Sequence, residues 1–151
     1  MDDLRELYQE VILDHNKKPR NFRILGDANR EADGRNPLCG DEFTLYARVN
    51  AEGRLEEVAF QGSGCAISKA SASLMTEFVA GKLVDEFEAD FKRFHNLVTS
   101  SPSTPAVIDG LGKLAVFAGV REYPMRVKCA SLAWHALRAA LEDDGETAKT
   151  E

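Results

Sequence analysis

The chain has 151 residues, a net charge of −6 and a pI of about 5.2. This length suits one domain with its own core. The acidic balance argues against a nucleic-acid-binding surface, which needs a basic stripe, and no apolar run approaches the roughly 18 residues of a membrane span. The N-terminal residues MDDLRELYQEVILDH lack the layout of a signal peptide. We therefore expect a cytoplasmic protein that binds neither nucleic acid nor membrane.

The apolar pattern of the first half predicts a helix and then a hairpin. Residues 3–15 carry apolar side chains at helical spacing, and Pro19 cannot continue that helix. Residues 20–42 show little periodicity and leave room for one short strand. Apolar and polar residues then alternate, and a second extended run follows the turn NAEG, which predicts a hairpin over 43–61.

The second half predicts a series of helices. One begins after Cys65 and ends near Gly81, and another carries apolar residues at spacings of three and four over 84–98. After a polar loop, we expect a short helix over 107–119. Such a hairpin followed by helices indicates an α+β fold. The expected architecture is a small, mainly antiparallel three-stranded sheet with about five helices packed on one face, in a single domain.

The segment before the third cysteine is predicted to be extended. It reads REYPMRVK, residues 121–128, and Pro124 disfavours helix in the residue that precedes it. A last helix is predicted over 130–142, and the remaining residues, 143–151, form a charged, apolar-poor tail that is expected to be disordered.

The three cysteines, Cys39, Cys65 and Cys129, fall at predicted element boundaries. A small, odd number of cysteines without a secretory signal indicates free thiols, catalysis or metal binding rather than disulfides. Cys65 and Cys129 lie at predicted helix N-termini, where unpaired N–H groups and the helix dipole lower the pKa of a thiol. Three unrelated structural thiols are an equally weighted alternative, since cysteine is often simply buried.

Asp41 follows Cys39 by two positions in NPLCGDEF and supplies a possible fourth ligand. Three thiolates and one carboxylate fit tetrahedral zinc, and thiolates also suit iron–sulfur clusters. The cysteines are far apart in the chain, so the fold would have to assemble this site from three distant loops. The alternative for Asp41 is a turn or strand-capping residue, which is its commoner use.

Four blocks of the sequence together resemble the U-type iron–sulfur cluster assembly proteins, and specifically their SufU branch. The resemblance assigns residues 1–142 to one U-type domain. In chain order, the blocks are LYQEVILDHNKKPRN (7–21), NPLCGD (36–41), GSGCAISKASASLMTE (62–77) and GVREYPMRVKCASLAWHAL (119–137).

The resemblance implies a site and a reaction. Cys39, Asp41, Cys65 and Cys129 would hold a zinc ion, and Cys39 would accept sulfur from the persulfide of a SufS-like, pyridoxal-phosphate-dependent cysteine desulfurase. A partner ligand would displace Cys39 from zinc to free its thiolate. The sulfur would pass to a SufBCD-type scaffold or to apo-acceptors.

Two cations lie near the last cysteine, and the first of them bears on the choice between branches. Scaffold-type relatives carry a histidine directly before that cysteine, where this chain has Lys128, whose ammonium group has no lone pair for a metal. This favours a zinc-dependent sulfurtransferase; a scaffold that holds iron or a [2Fe–2S] cluster is the alternative, and a structural zinc domain is a third. Arg126 is expected to stabilise anionic sulfur or to pair with the desulfurase, against the alternative of a solvated surface charge.

The histidines are weaker candidates for chemistry. His15 and His135 are expected to be surface or half-buried side chains with satisfied hydrogen bonds, and His95, on a helix rich in phenylalanine, is expected to be structural.

Overall fold

The computed structural model describes residues 2–38, 40–142 and 148–149, and side chains within 6–38 and 40–142. Among these residues, no helix is both long and apolar enough to cross a bilayer. The elements in chain order are α1 (Asp2–Lys17), β1 (Arg30–Asn36), β2 (Asp41–Val49), β3 (Leu55–Ser63), α2 (Ala66–Val79), α3 (Val84–Thr99), a 3-10 helix (Gly112–Glu122), α4 (Pro124–Glu142) and β4 (Ala148–Lys149).

The sheet has the strand order β3-β2-β1-β4. The first three strands are antiparallel neighbours, whereas the two residues of β4 pair in parallel with β1. Along β2, Phe43, Leu45 and Ala47 are buried while the residues between them face outward, because successive side chains of a strand point to opposite faces. The predicted hairpin and the predicted short strand before it are both confirmed.

Helices α2 and α4 cover one face of this sheet, so the predicted α+β class is confirmed. Helix α4 lies close to β1 at Gly34, where an added Cβ would lie 2.9 Å from the Cβ of Ala136 and 3.2 Å from Cδ1 of Leu132. Only glycine lets α4 approach β1 this closely. Where α4 packs on α3, the buried Trp134 of α4 stacks on Phe94 of α3 with ring centroids 4.6 Å apart, and such aromatic pairs contribute strongly to the core.

The prediction that 121–128 is extended is wrong at every residue except Tyr123, because the 3-10 helix ends at Glu122 and α4 begins at Pro124. Only Tyr123, the residue before the proline, is extended (φ −127°, ψ 93°). Helix α4 begins at Pro124. Proline suits the first helical position because the N–H that it lacks would have no partner within the helix, and because its ring fixes a helical φ. The N–H groups of Arg126 and Val127 donate to the Tyr123 carbonyl at 2.9 and 3.1 Å and form the first turn.

The short helix predicted over 107–119 lies later in the chain and has a different form. It is a 3-10 helix over Gly112–Glu122. Gly110 and Gly112 have φ of +76° and +53°, so the chain makes left-handed turns where the prediction places regular helix.

The predicted charged tail, 143–151, lies outside the described residues except for Ala148–Lys149, which pair with β1. Its disorder and the domain boundary at residue 142 stay predictions.

Candidate metal centre

Cys65 caps the N-terminus of α2, as the sequence predicts. Its backbone is extended (φ −71°, ψ 167°), and its sulfur accepts a hydrogen bond of 3.4 Å from the N–H of Ser68. The hydroxyl of Ser68 lies 3.5 Å from the same sulfur and donates to the Cys65 carbonyl at 3.0 Å. The sulfur thus takes the place that an oxygen occupies in an ordinary N-cap.

Two glycines of the GSG turn allow β3 to deliver Cys65 to this position. A Cβ on Gly62, whose φ is +139°, would lie 2.8 Å from the Cα of Phe43 on the neighbouring strand. A Cβ on Gly64 would lie 2.6 Å from the Ser68 hydroxyl. Both contacts are too close for a real side chain, so the backbone can adopt this path only with glycine at positions 62 and 64.

Asp41, the first residue of β2, is 2% exposed, and its carboxylate contacts Cys65. The Cys65 N–H donates to Asp41 Oδ1 at 2.9 Å, and Oδ2 lies 3.9 Å from the Cys65 sulfur. Asp41 begins β2, as the alternative of a strand-capping residue expects, but its carboxylate also accepts from Cys65, which lies 24 positions further along the chain.

Cys129 is buried within α4, at 4% exposure, rather than at the start of a helix. Since α4 begins at Pro124, Cys129 lies in its second turn, and the predicted effect of a helix N-terminus applies to Cys65 alone. The side-chain N–H of the fully buried Asn36 points at the Cys129 sulfur, with a nitrogen–sulfur distance of 3.9 Å.

The fold brings Asp41, Cys65 and Cys129 together. Within the part of the chain that the structure describes, these three form a group whose ligand atoms all lie within 4.8 Å of one another. Zinc–sulfur bonds of about 2.3 Å place tetrahedral donors about 3.8 Å apart, so adjustments of about 1 Å would close the three around one ion. Two sulfurs and one carboxylate oxygen are also a donor set that zinc accepts.

The thiol of Cys65 is acidic. A hydrogen bond with Cys129 contributes most to lowering its pKa, which falls from the ordinary value of 9.0 to about 6. The hydroxyl and N–H of Ser68 also lower this pKa, while burial and the charge of Asp41 raise it. Cys65 is also solvent-exposed, so a thiolate can form at neutral pH where a reagent can reach it.

Cys39 lies outside the described residues, but both of its neighbours are described. The N–H of Leu38 donates to Asn36 Oδ1 at 3.2 Å, and the N–H of Gly40 donates to the Asn36 carbonyl at 2.9 Å. Gly40 has a φ of +73°, which suits the tight turn that connects β1 to Asp41.

Arg126 is an exposed residue in the first turn of α4, with its guanidinium carbon 4.4 Å from the Tyr123 ring centroid. It also lies within electrostatic range of Tyr8 on α1. Burial raises the pKa of Tyr8; the charge of Arg126 opposes that rise and the Cys65 thiol adds to it. The buried Tyr8 hydroxyl has no hydrogen-bond partner among the described residues, and it lies near the candidate site.

The sequence predictions missed Asn36, Ser68 and Tyr8. For Asn36, the Asn-Pro pair that opens NPLCGD was a signal of a turn, but nothing local showed that its amide reaches Cys129. For Ser68, its place three residues after an N-cap candidate was the available signal. For Tyr8 there was none, because its spacing is that of an ordinary amphipathic helix.

Comparisons with known proteins agree with the predicted family. The family model described as NifU-like N terminal domain matches residues 7–130. The chain is 38% identical over 142 residues to the iron–sulfur cluster assembly scaffold protein IscU of Streptococcus pyogenes serotype M1, which covers 94% of this chain and 87% of that protein. It is 37% identical over 145 residues to the zinc-dependent sulfurtransferase SufU of Bacillus subtilis, covering 95% and 96% of the two chains.

A solved structure from Fervidobacterium islandicum AW-1, described as an iron–sulfur cluster assembly scaffold protein for the SUF system, has a similar fold. Its TM-score is 0.80 at 35% identity, and the match covers 90% of this chain and 97% of that chain.

Proposed function

We propose that this chain, which belongs to the family of the NifU-like N-terminal domain, is a zinc-dependent sulfurtransferase. This family is the predicted one, that of the iron–sulfur cluster assembly proteins. The chain accepts persulfide sulfur from a cysteine desulfurase on Cys39 and passes that sulfur on for cluster assembly. The single observation that carries the proposal is the cluster of Asp41, Cys65 and Cys129 beside the turn that contains Cys39.

The metal ligands in this proposal are Cys39, Asp41, Cys65 and Cys129. The donor chemistry of the three described groups suits zinc, which would hold the cysteines as thiolates and mask them when bound. A solvent-exposed ligand and a carboxylate argue against a purely structural role, since structural zinc prefers closed sets of cysteine and histidine.

The sulfur transfer is a thiol–disulfide-type exchange at Cys39. The Cys39 thiolate attacks the outer sulfur of the desulfurase persulfide and forms a new sulfur–sulfur bond. The bond between that sulfur and the desulfurase cysteine breaks, and its electron pair leaves on the desulfurase thiolate. The exchange needs no external oxidant or reductant. In our proposal, Arg126, an exposed cation on the first turn of α4, stabilises the anionic sulfur.

The test combines metal content with desulfurase turnover. In protein purified without added iron, we expect about one zinc per chain, the stoichiometry of one four-ligand site. Wild type should stimulate a cognate desulfurase and should carry a persulfide on Cys39 that is detectable by mass spectrometry. Cys39→Ser should stimulate no more than buffer, whereas Glu52→Ala, in the exposed turn between β2 and β3, should match wild type. Full stimulation by Cys39→Ser would refute the acceptor assignment.

A [2Fe–2S] scaffold is the second candidate, because a relative named as a scaffold is as similar as the one named as a sulfurtransferase. Anaerobic reconstitution with iron and sulfide distinguishes the two. A coloured cluster that survives desalting and transfers intact to an apo-ferredoxin would support the scaffold. We expect a labile cluster in wild type and a longer-lived one in Lys128→His, which introduces an imidazole next to Cys129 in the sequence.

A further inference from the structure

Asn36 is the last residue of β1, and its polar groups hold the chain on both sides of Cys39. It is 0% exposed. Its side-chain oxygen accepts from the N–H of Leu38 at 3.2 Å, and its backbone carbonyl accepts from the N–H of Gly40 at 2.9 Å. Its side-chain nitrogen lies 3.9 Å from the Cys129 sulfur. One buried residue therefore ties the turn of Cys39 to the ligand that α4 supplies.

These contacts explain why the residue is an asparagine. The Leu38 N–H can only donate, so it requires the amide oxygen, and the amide NH₂ must then face the Cys129 sulfur. Aspartate would keep the acceptor but place a second oxygen against the sulfur. Serine could still accept from the N–H two residues on, as in an ST-turn, but is too short to reach Cys129.

We propose that Asn36 is a positioning residue of the metal centre with two separable roles. Its oxygen holds the turn between β1 and β2 through the N–H of Leu38, and its side-chain N–H stabilises the sulfur of Cys129 as a metal ligand. The proposal rests on the metal site and sulfur transfer proposed above. Partners of metal ligands commonly contribute 10- to 100-fold in metal affinity, and we expect an effect of about this size.

The variants separate these roles. Asn36→Ser keeps the turn acceptor and loses the contact with sulfur, whereas Asn36→Ala loses both. Asn50→Ala is the matched control, because Asn50 Oδ1 accepts from the N–H groups of Glu52 and Arg54 at 3.0 Å each in the turn between β2 and β3. It removes the same kind of turn contact away from the centre.

The readouts are zinc affinity against a chelator and the thiolate-to-cobalt charge-transfer band of Co²⁺-loaded protein. Asn36→Ser should bind zinc roughly 10-fold or more weakly and shift the band, because its sulfur loses an N–H partner. Its melting temperature in chelator should stay near that of wild type. Asn36→Ala should show the same metal effects with a lower melting temperature, and Asn50→Ala should lower only the melting temperature.

Wild-type zinc affinity and an unchanged cobalt band in Asn36→Ser would overturn the proposal. If that variant does not fold, Asn36→Asp, which keeps the size and the acceptor, makes the same test: a shifted band is expected, and an unchanged band overturns the proposal. Persulfide loading of Cys39 is measured in parallel. Wild type without persulfide but with the expected Asn36 metal effects would refute the sulfur-transfer function and leave the role of Asn36 standing.

Discussion

The N–H of Cys65 donates a 2.9 Å hydrogen bond to one oxygen of Asp41, while the other oxygen lies 3.9 Å from the Cys65 sulfur. The first oxygen fixes the carboxylate to the helix N-terminus, and the second faces the thiol. Two ligands that lie far apart in sequence are thus held in register by the protein itself. Because each carboxylate oxygen has a different contact, the structural role of Asp41 and its role as a ligand can be separated by mutation.

We predict that Asp41→Asn weakens metal binding without a large loss of stability in chelator. The amide oxygen can still accept from the Cys65 N–H, but the charge that attracts the metal is gone. Asp41→Ala should also lower the free energy of unfolding in chelator by about 1–3 kcal/mol, since a part-buried N–H loses its partner. Zinc competition and urea unfolding measure the two effects. Equal metal affinity of Asp41→Asn and wild type would contradict Asp41 as a ligand.

We predict that Cys65→Ser and Cys129→Ser destabilise the zinc-loaded protein more than the chelated protein. Metal that binds only the folded state adds about 2.7 kcal/mol of stability at a free concentration of 100 times its Kd. The serine variants lose part of this increment. Thermal unfolding with excess zinc and with chelator checks the prediction, and equal losses in both conditions would count against these residues as ligands.

We predict that Gly62→Ala destabilises the protein by about 2–3 kcal/mol, because its Cβ would overlap the backbone of Phe43. The positive φ of +139° adds strain for any other residue. Gly26→Ala is the control, since a Cβ there meets nothing within 4 Å and its φ lies outside the unfavourable range. Urea unfolding of both variants is the measurement, and equal stabilities would show that β3 can shift to accept a side chain.

Acidification should destabilise the fold through His15. This residue is buried, and its Nδ1 lies 2.7 Å from the Ser73 hydroxyl. Burial, and then the charge of Arg20, lower the pKa of His15 below 6.5, while Glu77 opposes this shift. The unfolded chain therefore binds a proton first as the pH falls. The stabilising contribution is complete above about pH 6.5 and is lost as the pH falls through the folded pKa.

Urea unfolding in chelator between about pH 5 and 7.5 tests this pH dependence. A single site changes the free energy of unfolding by at most about 1.4 kcal/mol per pH unit. His15→Gln should reduce the slope. His135, whose pKa is lowered first by burial and then by His95, should contribute a slope of the same sign. An unchanged slope in both His15→Gln and His135→Gln would exclude the two imidazoles as its source.

We predict that Tyr8→Phe leaves the protein as stable as wild type or more stable. The Tyr8 hydroxyl is buried without a hydrogen-bond partner among the described residues, and an unpaired buried hydroxyl costs about 1–3 kcal/mol. Urea unfolding is the measurement. A loss of more than about 1 kcal/mol would show that the hydroxyl has a partner, such as a bound water.

The sequence pattern was sufficient wherever structure follows from neighbouring residues. Alternation over 43–49 predicted which face of β2 is buried, and apolar spacing over 84–98 predicted α3. The turn at NPLCGD and the N-cap at Cys65 follow from local backbone preferences. Pro124 is the exception, because the same ring that disfavours helix in the residue before it also suits a first helical position, and the sequence does not choose between the two.

Local sequence therefore determined most of the elements and the types of donor, thiol and carboxylate. Only the tertiary structure decided which donors meet and which side chains are buried. Close packing of α4 on β1 at Gly34 brings Cys129 to Asn36, and strand pairing places Asp41 against Cys65. Packing of α1 against α2 buries His15, which the sequence predicts to be at most half-buried. Such contacts join residues tens of positions apart, and their geometry depends on how whole elements pack rather than on any local period.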